Sequence, residues 1–423
     1  MHQGSAKIAE SSDQHDHRFV LCAGAVAKEW MGSLRQMEIS ERQPAASRLL
    51  GAERPQRLRI VETDPHTDPR WESFVASHPI GSIYHHPAWL GVLEREYKQQ
   101  GVYMACEDNN GSFLAILPML YTRGLPFGLG GTLSGRRLSS LPRTPIAGPL
   151  FVDRSAGAAL VRAAMHKVAR EQGVRMQIKM TAPDLDEMVD GLTGSPWRQS
   201  YVLCLPDPSK GPFRIKDSHD RNSIKWAVNK ATRLGVRVRA AESEAELRAW
   251  YRLYLESMRR NMVPARPYRF FQAMWELMQP RGLMELLVAE KQEAGQTTII
   301  AGSVFLKYGR TISYVFNGAS SKDFSLRPND VIQWEAINQA CKQGFELFDF
   351  GEVPDGNAAL AKFKSKWGAE PTRLYRYYFP ATQPSEQAKA DAEGAARKLA
   401  KSVWSRLPLE LTAWLGERAY YYL

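Results

Sequence analysis

Three lysines fall within five positions, Lys362, Lys364 and Lys366, interleaved with Phe363 and Ser365 and followed by Trp367 and Gly368. Ammonium groups so placed neutralise a phosphate or a developing oxyanion. The segment follows Phe348-Asp349-Phe350-Gly351-Glu352, read as a strand end, with Gly356-Asn357 between them. Ligands of open α/β sheets gather at the carboxyl ends of strands. Glycine there lets the backbone approach a ligand closely. Phe363 and Trp367, four apart on a helix, serve equally well as core anchors, and the lysines then form a solvated face. Lys364, beside Phe363, is the lysine we assign to chemistry, with Trp367 and Asp349 as its neighbours. The Asp-Phe-Gly triplet is no kinase signal, because the Gly-rich loop and the His-Arg-Asp segment are missing.

A second constellation is Asn317-Gly318-Ala319-Ser320, then Leu326-Arg327-Pro328-Asn329-Asp330. It joins a strand to a helix start, where free N–H groups and the helix dipole bind anions. Capping alone accounts for Asn329 or Asp330; it does not account for Arg327. A third is Arg221-Asn222-Ser223-Ile224-Lys225-Trp226, a basic helix that tracks a phosphodiester or pyrophosphate, or is simply solvated. No metal site is read: His85-His86 is the only adjacent histidine pair. Cys22, Cys106, Cys204 and Cys341 are scattered, without disulfide or zinc spacing.

The elements that must position these residues occur twice. In the first copy a helix near 87–97 leads to a strand at 102–107 and the turn Asp108-Asn109-Asn110-Gly111, then a strand at 113–120. A Gly-rich loop including Gly128-Leu129-Gly130-Gly131 follows, then a helix at 156–172 stopped by Gly173 and a strand at 174–180. In the second copy a helix at 268–278 leads to strands at 284–290, 299–307 and 311–317. A helix at 330–343 is then stopped by Gly344 before a strand at 345–350. This order predicts a duplicated α/β unit, with helices on both faces of twisted mixed sheets. Ser243 and Glu246 predict a capping box on a linking helix.

We read residues 1–57 as a mobile extension, 58–210 as the first domain, 211–380 as the second and site-bearing domain, and 381–423 as a helical tail. That tail packs on the body or lies on a membrane surface. The 423 residues are 44% hydrophobic and 24% charged, a globular composition that excludes fibrous and disordered classes. The net charge of +11 suits anionic partners: nucleic acid, nucleotide-linked substrates, coenzyme A or anionic lipid. No apolar run is long enough to span a bilayer. The expected place is the cytoplasm, with peripheral contact at the inner face of the membrane as the alternative that the tail leaves open.

Over residues 58–380 the sequence resembles the FemAB-like branch of the GNAT acyltransferase superfamily. The resemblance rests on the tandem units, on Arg221-Asn222 through Ala231 ahead of Gly235-Val236, and on Leu326 to Asp330 through Glu335-Ala336. It rests also on Phe348 to Gly351 and on Phe363-Lys364 with Trp367-Gly368. It is similar to the subgroup found with bacterial exopolysaccharide and exosortase loci, as is Arg406-Leu407-Pro408-Leu409. The resemblance implies two tandem GNAT-like domains and acyl transfer to an amine. Relatives move an amino acid from aminoacyl-tRNA onto the peptide stem of a cell-wall precursor. In them a Phe-Lys pair, matching Phe363-Lys364, lies at the reaction centre, and its lysine stabilises negative charge. The implied donor is aminoacyl-tRNA or acyl-CoA, with no tightly bound cofactor. The implied partners are an anionic nucleotide- or lipid-linked precursor and tRNA. Arg327, Asn317, Asn329, Asn222 and Arg221 are expected to bind substrate.

One departure matters. GNAT enzymes that use acetyl-CoA carry Gln/Arg-x-x-Gly-x-Gly/Ala before the central helix. Residues 325–330 contain no glycine, and Pro328 removes an N–H that would face the pyrophosphate. This argues against acetyl-CoA binding in the standard way. The rival readings are an acyl-CoA-dependent acetyltransferase of exopolysaccharide synthesis and a non-catalytic tandem binding module.

Overall fold

Gly173 and Gly344 both adopt positive φ, 74° and 80°, and each releases the chain from a helix towards a strand. They mark equivalent points in two units with the same strand pairing. The computed structural model describes residues 57–123, 136–293, 295–381 and 408–419. Most of the expected 1–57 extension, the Gly128–Gly131 loop and Arg406-Leu407 lie outside the described residues.

The first unit runs β1 (Arg59–Glu62), α1 (Pro69–Ser77), α2 (Pro87–Tyr97), β2 (Val102–Glu107), β3 (Phe113–Thr122), β4 (Arg137–Ser139), β5 (Leu150–Phe151), α3 (Arg154–Ala169) and β6 (Arg175–Met180). β7 (Thr193–Cys204) leads on to α4 (Ser218–Arg233). The second unit runs β8 (Val236–Ala240), α5 (Glu244–Arg260), α6 (Tyr268–Leu277), β9 (Met284–Glu293), β10 (Gln296–Tyr308), β11 (Thr311–Ala319), α7 (Pro328–Lys342) and β12 (Leu347–Val353). α8 (Ala358–Ser365), β13 (Glu370–Phe379) and α9 (Leu409–Ala419) follow.

β2–β3 and β3–β4 pair antiparallel and β4–β6 parallel. β9–β10 and β10–β11 pair antiparallel and β11–β12 parallel, the same pattern. Local residues explain the elements. Asp153 caps α3, and Ser243 with Glu246 closes the expected capping box at α5.

The units exchange their last strands. β7, which follows the first unit, pairs with β12 of the second; β13, which follows the second, pairs with β6 of the first; and β7 and β13 pair with each other. The result is one continuous mixed sheet. We expected no strand over either segment.

Apolar packing reinforces this join. Trp89 on α2 meets Phe270 on α6 edge to face at 5.9 Å, within a core drawn from both units. Beside it the buried Arg266 guanidinium pairs with Glu96 at 2.9 Å and donates to the Arg143 carbonyl at 2.8 Å. The histidine pair is structural. His85 bonds the Gly148 carbonyl, and burial lowers its pKa to about 4. His86 caps α2 by accepting from the Ala88 N–H. In the tail, α9 packs on the body: a Cβ at Gly416 would lie 2.7 Å from the Ala265 carbonyl oxygen, and Arg269 pairs with Glu417. Among the described residues no helix is long and apolar enough to cross a membrane.

Candidate active site

The parallel strands β11 and β12 share three register pairs, the last being Ser313 with Asp349. β11 continues to Ala319 and β12 to Val353 without further pairing to each other. The parting coincides with an irregularity in β12 between Asp349 and Glu352, where Gly351 has φ 76°. An L side chain is strained there, which explains the glycine.

Into this irregularity α8 inserts Lys364. Its ammonium donates to the carbonyls of Phe350 at 2.6 Å, Gly351 at 2.8 Å and Glu352 at 3.0 Å. Asn357 starts α8 by accepting from the Leu360 N–H, which sets the helix that carries the lysine. Lys364 is only 3% exposed. Burial pulls its pKa down to about 8, against the opposing pull of Asp349 and Glu352. A cation is thus fixed where two parallel strands open.

Asp349 accepts from Ser200 Oγ and from the Gly351 N–H, both at 2.8 Å. Burial raises its pKa, which makes it a better proton acceptor than an exposed aspartate. Tyr84 arrives from the first unit. Burial first, then the charges of Asp349 and Glu352, push its phenol up, while Ser313 acts the other way. Lys364, Asp349, Ser200, Ser313 and Tyr84 therefore form one polar cluster drawn from both units. The sequence pointed to Lys364 and Asp349; nothing in spacing marked Tyr84, Ser200 or Ser313.

The remaining expected residues fall elsewhere. Arg327, not Asn329 or Asp330, is the residue at the cap of α7, with φ 62° and no capping side-chain bond. Pro328 takes the first helical position and moves Asn329 and Asp330 inside the helix, so the expected capping role does not hold. Asp330 instead pairs with Arg327 at 3.1 Å and with Lys366 at 2.5 Å. Asn329 Oδ1 is buried with no hydrogen-bond partner among the described residues. The exposed Trp226 ring lies 6.0 Å from the Arg327 guanidinium. Asn317 accepts from Ser303 at 3.0 Å. Arg221 and Asn222 are exposed on α4, Arg221 reaching back to the Ile215 carbonyl. Trp367 is wholly buried in the second unit's core, and Phe363 is half-buried with the Lys366 ammonium 4.6 Å from its ring.

Among the described residues no cluster of three or more His, Cys, Asp or Glu is set to hold a metal. A cavity of about 830 Å³ lies away from this cluster, lined by His66, Glu72, Glu94, Arg95, Glu276 and Arg281 among others. Its charges pair internally: His66 with Glu94, Arg95 with Glu276 and Arg281 with Glu72.

Two units of identical pairing, the second opening its parallel strands over a buried lysine, make up a tandem fold of GNAT type, and its relatives support an acyltransferase. Residues 218–365 match the family described as Acetyltransferase (GNAT) domain. The chain is homologous to Fem-type transferases: it is 25% identical over 333 residues to the UDP-N-acetylmuramoylpentapeptide-lysine N(6)-alanyltransferase of Weissella viridescens, covering 74% of this chain and 92% of that protein. The crystal structure of FemX superposes with a TM-score of 0.56 at 14% identity, covering 78% of this chain and 99% of that one. L-PGS from Bacillus licheniformis shares the fold at a TM-score of 0.50 and 14% identity, over 82% of this chain and 99% of that one.

Proposed function

We propose that the chain transfers an aminoacyl group to an amine on a cell-envelope precursor, of peptidoglycan or exopolysaccharide type. The observation that carries this reading is Lys364, a buried cation at the parted strands, inside the residues that match the GNAT domain. The similarity to an alanyltransferase over 92% of its length supports the aminoacyl donor. The acting domain is 211–380, with 58–210 completing the cleft through Tyr84.

The acceptor amine attacks the ester carbonyl of aminoacyl-tRNA. A C–N bond forms, the carbonyl π pair moves to oxygen, and Asp349 takes the amine proton. Lys364 stabilises the oxyanion, exchanging its longest bond, to the Glu352 carbonyl, for the new charge. Collapse breaks the C–O bond, and the proton that Asp349 took from the amine passes to the departing ribose oxygen. Arg327, Asn329, Trp226 and the exposed Arg221 and Asn222 hold the anionic donor; Asn317 and Phe363 shape the walls, and Trp367 packs in the core behind them. The chain works at the inner face of the membrane, with α9 and its exposed Trp414 towards the surface.

Acyl-CoA is the second donor considered, and Pro328 at the first position of α7 counts against it. Parallel assays with a charged tRNA pool and with acetyl-CoA, using an amine-bearing nucleotide-linked muropeptide, test the proposal. Transfer from tRNA is expected. Transfer from acetyl-CoA alone would overturn the donor assignment.

A further inference from the structure

Asn329, Asp330 and Gln333 are spaced three and four apart in the first turns of α7, which puts them on one side of the helix. Gln333 is 0% exposed, in a stretch of α7 whose Val331, Ile332, Ala336 and Ile337 are core residues. Neither polar atom of its amide, Nε2 nor Oε1, has a hydrogen-bond partner among the described residues. A buried amide left so costs stability, and a leucine of like size would not. The position therefore calls for a group that completes it.

Two more unpaired atoms belong to the same neighbourhood. Asn329 Oδ1, one turn before Gln333, is buried without a partner among the described residues. Trp367 is also 0% exposed, and its Nε1–H meets no acceptor among them. The end of α8 is held against the start of α7 by Lys366, whose ammonium lies 2.5 Å from Asp330 Oδ1, and Trp367 is the next residue. Trp367 also lies one turn beyond Lys364, its backbone N–H donating to the Lys364 carbonyl at 3.2 Å. The unpaired atoms thus belong to the two elements that meet beside the lysine of the reaction centre.

Their chemistry defines the ligand. Asn329 Oδ1 and Gln333 Oε1 accept; Gln333 Nε2–H and Trp367 Nε1–H donate. A carboxylate would face two oxygens that only accept. An ammonium would find Asp330 already paired, with Lys366 and with Arg327 at 3.1 Å. An apolar group would leave all four atoms as they are. A hydroxyl donates one hydrogen bond and accepts others at the same place. We propose that Asn329, Gln333 and Trp367 line the pocket for the side chain of the transferred amino acid, and that this side chain is short and carries a hydroxyl, as serine does. This rests on the reading of the donor as aminoacyl-tRNA. A site built to hydrogen-bond a hydroxyl rejects the analogue that lacks it, because its own buried groups are then left unpaired.

Binding to the full chain, without transfer, tests this. One tRNA body ending in 3′-amino-3′-deoxyadenosine is acylated through a stable amide with serine or with alanine, and each form is titrated calorimetrically. Wild type is expected to bind the seryl form about tenfold or more tighter than the alanyl form. Gln333→Leu is expected to fold at least as stably as wild type and to bind the two forms within about twofold of each other. Trp367→Phe keeps a ring and removes the Nε1–H donor; it should narrow the preference in the same direction, and it decides the matter should Gln333→Leu not fold. The pocket is overturned if wild type binds both forms alike, or if the folded variants keep the full preference; the unpaired atoms then hold buried water only. Binding of neither form would overturn the aminoacyl-tRNA reading and the pocket with it, whereas equal binding of both removes only the pocket.

Discussion

The backbone carbonyl of Glu352 accepts from the Lys364 ammonium at 3.0 Å, while the Glu352 carboxylate lies 3.6 Å from Arg198. One residue thus joins the buried lysine of the second unit to the exchanged strand β7. Each of the three Lys364 N–H groups meets a carbonyl of residues 350–352, so the lysine shapes the strand end as well as charging it.

Lys364→Met keeps the stem but leaves three carbonyls without their donor. It is expected to lower stability by about 3 kcal/mol at pH 7. The folded-state pKa of about 8 lies below the 10.5 of an ordinary lysine. Between those values the unfolded chain holds a proton that the folded chain has lost, so stability from this group rises with pH. It is fully present above 10.5 and lost as pH falls through 8. The gap between wild type and Lys364→Met should therefore widen from pH 7 to pH 10, by up to about 3 kcal/mol. Urea unfolding at both pH values measures this; a constant gap means that Lys364 does not titrate as described.

Arg327 holds φ 62° at the start of α7, a conformation that glycine adopts without strain. Arg327→Gly is expected to be neutral or stabilising by about 1 kcal/mol at the backbone, yet to raise KM for the anionic donor. Steady-state kinetics beside thermal melting separates the two effects. An unchanged KM removes Arg327 from donor binding.

Arg266 and Glu96 form a buried pair at 2.9 Å across the two units. Arg266→Met leaves the carboxylate without its partner and is expected to destabilise by about 3–5 kcal/mol. Urea unfolding should show this, and Glu96→Gln, which keeps a hydrogen-bond acceptor, should lose less. Equal losses would point to packing rather than charge.

The duplicated order was legible because its signals are local: helix-stopping Gly173 and Gly344, the turn at Gly111, and the Ser243–Glu246 box. The exchanged strands were not. β7 opens with Gly194-Ser195-Pro196 and β13 carries Pro371, both weak strand signals, and β13 pairs with residues far back in the chain. Lys364 stood out as one of three clustered lysines. Tyr84, Ser200 and Ser313 did not, because only strand register and exchange bring them near it. Asn329 and Asp330 are both of a type that caps helices, yet the left-handed Arg327 before Pro328 sets the helix start a residue or two earlier.

The most direct measurement is single-turnover transfer of a labelled aminoacyl group from charged tRNA to an amine-bearing muropeptide, with wild type and Lys364→Met compared at pH 7. Both proteins are first shown to be folded by circular dichroism. The account predicts transfer by wild type and a fall of about a hundredfold or more in the variant, the scale of losing one oxyanion-stabilising group. Transfer by folded Lys364→Met at the wild-type rate would contradict it.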